Sequence, residues 1–220
     1  MGEERADGDS GDRPHDGQPI ETAGAPPQVA DAAVVLVHGR GSSASYMLTL
    51  IDEFLHHGVM YLAPQAAHSS WYPRSGYGPL DANEPWLSSG LDRISSALEI
   101  ASDADVPPER TLICGFSQGG CLASEFVARN PRRYGGLVVL SGSLLGPETD
   151  RAFEGSLDDS PVFLGCSADD SYVPAERIEH SAQTFARLDG AVTHRLYADL
   201  GHAINDDEIQ QVNTLIEGLL

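Results

Sequence analysis

Lysine is absent from this chain. All thirteen basic residues are arginine, they face 33 acids, and the formal net charge is −20. Charge of that size excludes nucleic acid and anionic membranes as partners, because both repel it. Salt shortens the repulsion, to a Debye length of about 3 Å at 1 M, so a salt-rich cytoplasm and a halophilic source are expected. Cysteine is scarce. The three thiols, at 114, 121 and 166, lie in apolar contexts without metal-ligand spacing, which predicts buried free thiols and no metal. Long apolar runs are missing too: no stretch nears the roughly 20 residues of a membrane span, and the start lacks the apolar core of a signal peptide. These absences predict a soluble cytoplasmic protein with no stable membrane insertion.

What is present is enough apolar material, 41% of 220 residues, for one sizeable core. Residues 1–31 differ from the rest. They hold eight acids, two arginines and almost no large apolar side chain, so they are expected to be a solvated tail ahead of a single domain at 32–220.

From residue 32 onward strands and helices alternate. AAVVLV (32–37), VMYLA (59–63), RTLIC (110–114), GGLVVLSG (135–142), PVFLGCS (161–167) and VTHRLYA (192–198) read as strands. Helical spacing covers 44–57, 86–104, the stretch after 117 to about 130, 174–188 and 206–219, with a long loop at about 64–85. Parallel strands need crossovers, so this alternation predicts a three-layer α/β fold, a mostly parallel sheet with helices on both faces. Chemistry in such sheets gathers at the carboxyl ends of the strands. There stand HGRGS after the first strand, Ser117 after the third, Asp169 and Asp170 after the fifth, and Gly201-His202 after the sixth.

Ser117 lies in GFSQG. A GxSxG pattern arises by chance about 0.2 times in a chain of this composition, so its position matters more than its letters. It follows a strand and opens a helix, the sharp turn that lifts a hydroxyl clear of a sheet. The next amide, Gln118 N–H, then faces a developing oxyanion at a helix N-terminus. An alcohol needs a base, and the base needs an orienting carboxylate. Of eight histidines, His202 sits in a loop after the last strand, where it can reach the serine. His38 precedes a glycine-rich turn and suits a positioning role beside the second oxyanion donor, the main chain of Arg40. For the acid, Asp169 and Asp170 are adjacent and point to opposite sides, so only one can face the histidine.

Taken together, VHGRGS, APQAAHSSWYP, NEPWLSSGL, GFSQGG, SADDSYVP and GHAI resemble the phospholipase/carboxylesterase family of α/β hydrolases, the small lidless group that includes acyl-protein thioesterases. The resemblance runs from about residue 32 to the end. It implies Ser117 as nucleophile, His202 as base, Asp170 as acid three residues before the Val173-Pro174 pair, and Arg40 and Gln118 as oxyanion donors. WYP paired with NEP is similar to a prokaryotic esterase branch, while RSGYGPLDA (74–82) departs from the family pattern. Trp71, Tyr72 and Glu84, with His38 and Gly39, are the candidate substrate contacts; Trp71 equally suits covering the sheet edge, and for Glu84 stabilising its loop is favoured over selecting a polar or cationic substrate. The expected activity is hydrolysis of small carboxylic esters through an acyl-enzyme, without metal or organic cofactor. A homodimer is compatible with the sequence. Thioester, lactone or amide hydrolysis by the same groups, and a catalytically silent ligand-binding protein, are the alternatives.

Overall fold

The computed structural model of the chain describes residues 13–54, 56–147 and 151–220. Seven strands form one sheet: β1 (Ile20–Gly24), β2 (Ala32–Val37), β3 (Val59–Pro64), β4 (Thr111–Phe116), β5 (Gly136–Leu140), β6 (Pro161–Ser167) and β7 (Ala191–Tyr197), in the order β1-β3-β2-β4-β5-β6-β7. β1 runs antiparallel to β3 and every other pairing is parallel. Among the described residues five α-helices complete the layers: α1 (Ala44–Thr49), α2 (Trp86–Asp103), α3 (Gln118–Arg129), α4 (Ala175–Arg187) and α5 (Asp206–Glu217).

The two-residue period of a strand sorts the core into two halves. On β2, Ala33, Val35 and Val37 join α2, α3 and α4 on one face, while Ala32, Val34 and Leu36 join α1 and α5 on the other. All six residues of β2 and of β3 are buried, as their unbroken apolar runs require. β7 is different. It is one of the two sheet edges, and none of its residues is buried.

Two expectations from the sequence need correction. Residues 13–31 are not a tail. β1 pairs with β3 from Ile20↔Pro64 to Gly24↔Met60, and His15 is fully buried; residues 1–12 lie outside the described residues. Composition misleads because an edge strand needs few large apolar groups when its ladder and one anchoring side chain hold it. The helix expected over 44–57 is α-helical only through Thr49 and then tightens into a 3₁₀ turn at Leu50–Glu53. Met47, Ile51 and Phe54 all stay buried, since spacings of four and then three suit a tightened last turn as well as an α-helix.

The expected loop at 64–85 carries two short 3₁₀ turns, at Ala67–Ser69 and Leu80–Asn83. Buried Asn83 braces it, accepting from Arg74 N–H at 2.8 Å and donating to the Ser75 carbonyl at 3.0 Å.

Candidate active site

Ser117 sits between β4 and α3 with φ +54° and ψ −121°, a region costly for any side-chain-bearing residue. Its neighbours pin it there: Ser117 N–H donates to the Leu140 carbonyl at 2.8 Å, and its own carbonyl accepts from Cys121 N–H at 3.0 Å. The flanking glycines make the turn possible. A β-carbon on Gly119 would overlap the Val37 carbonyl, and one on Gly115 would overlap Gly119 itself. The hydroxyl is thereby raised above the carboxyl end of the sheet.

His202 Nε2 stands 2.8 Å from Ser117 Oγ, and His202 Nδ1 stands 2.7 Å from Asp170 Oδ2. An ionised carboxylate only accepts, so Nδ1 carries the proton and the Nε2 lone pair faces the serine hydroxyl. Asp170's side chain is fully buried, and its other oxygen accepts from Tyr172 N–H at 2.8 Å and Val173 N–H at 3.1 Å. Burial alone would raise this carboxyl's pKa. The hydrogen bonds from His202, Tyr172 and Val173 outweigh it and hold the pKa below the ordinary value. Asp169 faces elsewhere: it accepts from the Ser167 hydroxyl, which itself accepts from Gly201 N–H at 3.1 Å. Asp169 thus ties down the loop that presents His202.

A cavity of about 400 Å³ opens over the serine. Arg40, Tyr72, Gln118 and His202 line it together with Arg74, Ser75, Gly76, Tyr77, Cys121, Tyr172 and Val173. Gln118 N–H is at the first position of α3, where the helix provides no partner. The Gln118 side chain acts separately from its amide. Its Oε1 accepts from Trp71 N–H at 2.9 Å and its Nε2 donates to the Tyr72 carbonyl at 2.8 Å. Arg40's guanidinium donates to the carbonyls of Tyr72 at 2.7 Å and Arg74 at 3.2 Å. Loop 64–85 is therefore clamped to both oxyanion candidates.

The remaining candidate contacts are not brought to the cavity wall. His38 is fully buried; its Nδ1–H donates to the Gly39 carbonyl at 2.8 Å and its Nε2 accepts from Ala66 N–H at 3.0 Å, and burial lowers its pKa. Gly39 lies against Phe116 and Ser117, where an added β-carbon would come within 3.3 Å of both. Trp71 is fully buried, its indole N–H donating to the His38 carbonyl at 2.8 Å. Glu84 accepts from Ser88 N–H at 3.0 Å at the start of α2, a loop and helix brace. Sequence reasoning missed Tyr172, whose ring centroid lies 4.8 Å from that of His202, and the wall from Arg74 to Tyr77. Both had a signal: Tyr172 stands inside SADDSYVP, and RSGYG is the stretch that departs from the family pattern.

A sheet whose carboxyl edge carries a serine on a strained turn, joined to a histidine and a buried aspartate, defines the α/β-hydrolase class. Residues 19–220 match the phospholipase/carboxylesterase family model, and the chain belongs to that family. It is similar to the phospholipase/carboxylesterase structure from Dyadobacter fermentans, 35% identical over 91% of this chain and 96% of that one, with a TM-score of 0.86. It also resembles acyl-protein thioesterase 1 of Eremothecium gossypii, 27% identical over 88% of this chain and 90% of that one. Carboxylesterase SOBER1 of Arabidopsis thaliana is 29% identical over 86% and 91%. Among the described residues no helix is long and apolar enough to cross a membrane, and no cluster of three or more His, Cys, Asp or Glu could hold a metal ion.

Proposed function

We propose that this protein hydrolyses carboxylic esters of small molecules through an acyl-enzyme, with Ser117, His202 and Asp170 as the catalytic groups. The observation that carries this reading is the continuous hydrogen-bonded chain from Asp170 through His202 to Ser117 Oγ at the floor of the cavity. His202 Nε2 takes the hydroxyl proton as Ser117 Oγ attacks the ester carbonyl. Asp170 holds the Nδ1–H tautomer and stabilises the imidazolium that results. The amides of Gln118 and Arg40 receive the oxyanion, a contribution of about 10² to 10³ in rate per donor. His202 then passes its proton to the departing alcohol. Water, activated by the same imidazole, releases the acid and restores Ser117. Every proton in this route moves between these side chains, substrate and water, so no cofactor is needed.

Relatives named both carboxylesterase and acyl-protein thioesterase support ester hydrolysis, and thioester hydrolysis is the second reading. The lysine-free surface with net charge −20 supports a salt-rich cytoplasm as the setting. The test is Ser117→Ala, assayed on p-nitrophenyl acetate and with a fluorophosphonate probe. Turnover and labelling are both expected to vanish while the circular dichroism spectrum stays that of the wild type. Retained turnover assigns the chemistry to another residue.

A further inference from the structure

The cavity wall is unlike the rest of the molecule in its charge. Acids outnumber bases 33 to 13 over the chain, yet among the described residues the wall contains Arg40 and Arg74 and no aspartate or glutamate. Asp170 stands behind His202 and is committed to it. A third cation, Arg177, lies behind the wall with its guanidinium 4.5 Å from the Tyr77 ring centroid, donating to the carbonyls of Leu144 and Gly146. None of these three arginines takes part in an ion pair among the described residues, whereas Arg129 and Arg151 share Glu125, and Arg195 meets Asp207.

Arg40 is committed to main-chain carbonyls through both Nη atoms, and Arg177 through Nη2, while Arg177 Nε is buried away from solvent without a partner among the described residues. Arg74 differs. Its backbone is fixed from both ends, N–H to Asn83 and carbonyl to Arg40, while its side chain is exposed and its guanidinium finds no acceptor among the described residues. A neutral ester gains little from a free guanidinium. An anionic oxygen group gains a forked, charge-assisted pair of hydrogen bonds.

We propose that the cavity selects esters bearing a second, anionic oxygen group, and that Arg74 is the residue that recognises it. The proposal rests on the ester hydrolysis argued above. The anion can belong to the acyl part or to the alcohol part, and two substrate pairs separate these cases. The first is p-nitrophenyl hydrogen glutarate against p-nitrophenyl pentanoate; the second is 4-acetoxybenzoate against phenyl acetate. The quantity read is the anionic-to-neutral ratio of kcat/KM within each pair, so intrinsic ester reactivity cancels between enzyme variants. In at least one pair the ratio is expected to fall about threefold to fivefold in Arg74→Gln and further in Arg74→Glu. Ratios unmoved in both pairs, in enzyme that still labels with a fluorophosphonate, overturn the recognition role and leave the hydrolase reading standing. Absence of both turnover and labelling in the wild type overturns the two together.

Discussion

The two sides of the cavity are held by buried ionisable groups of opposite pH sense. On the side of β2 and β3, His15 and His38 are fully buried and neutral, each ring accepting one main-chain N–H and donating to one carbonyl. Burial lowers both pKa values. On the side of β6 and β7, the loop bearing His202 runs into α5, whose first turn is closed by Glu208 and Asn205 in a reciprocal cap. Glu208 is fully buried, and burial pushes its pKa up to about 7, against the pull of the Asn205 amide and with a further push from Asp207. Acid therefore strains the wall beside Arg40 and Gln118, and base strains the anchor of the loop that presents His202. The difference teaches that the two sides of one cavity can be braced by the same kind of part, a buried titratable group, set to fail in opposite directions.

Substitution of Asp170 tests whether chemistry resides on the second side. Asp170→Asn places an amide donor opposite His202 Nδ1 or inverts the imidazole tautomer, and kcat is expected to fall about 10⁴-fold. Thermal stability should change far less, since the Tyr172 and Val173 amides keep an oxygen acceptor. Loss of folding in place of loss of rate would make Asp170 a structural residue.

His15→Ala addresses the first side and is expected to act on stability. It strands Ala67 N–H and the Trp71 carbonyl and leaves a void, at a cost of about 4 kcal/mol. The sign with pH follows from the lowered pKa. Between the folded value and the unfolded value near 6.5 the unfolded chain binds the extra proton, so wild-type stability is lost as pH falls below about 6.5. Arg93 lowers this pKa and Asp16 raises it, both less than burial does. Denaturant unfolding at pH 5 and pH 8 checks it: the variant should show a shallower acid decline, and parallel declines would remove His15 from the account.

These locks are hard to read in the sequence, for a physical reason. Strands β2 to β7 and the four longer helices follow from local periodicity, and Ser117 and His202 from their place after a strand. Asp170 is separated from Asp169 only by resemblance, because strand alternation says that one of them faces the histidine and not which. His15 falls in a stretch whose composition reads as a tail, because its partners lie 52 to 74 residues away, at Ala67, Trp71 and Ser89, and no local pattern encodes them. The Arg40 and Gln118 clamps share this property, reaching 32 to 47 residues to loop 64–85. Long-range side-chain to main-chain bonds leave no periodic trace.

Glu208→Gln would sharpen the comparison from the other side. A carboxyl whose pKa is raised from 4.5 to about 7 binds its proton in the folded state and not in the unfolded state across that interval, so folding loses free energy as pH rises through it. The full loss is about 3 kcal/mol above pH 7, at roughly 1.4 kcal/mol per unit. Glutamine keeps an acceptor for Asn205 N–H and places no charge beside Asp207, Cys114 and Cys166. The variant should match the wild type near pH 4.5, exceed its stability progressively to pH 7 and then hold a constant margin, in unfolding free energies measured by urea titration. Because the His202 loop leads directly into this cap, kcat should follow the same pH trend more weakly. Stability curves that stay parallel from pH 4 to 8 would mean that Glu208 is ionised in the folded protein, and the opposition between the two sides would be lost.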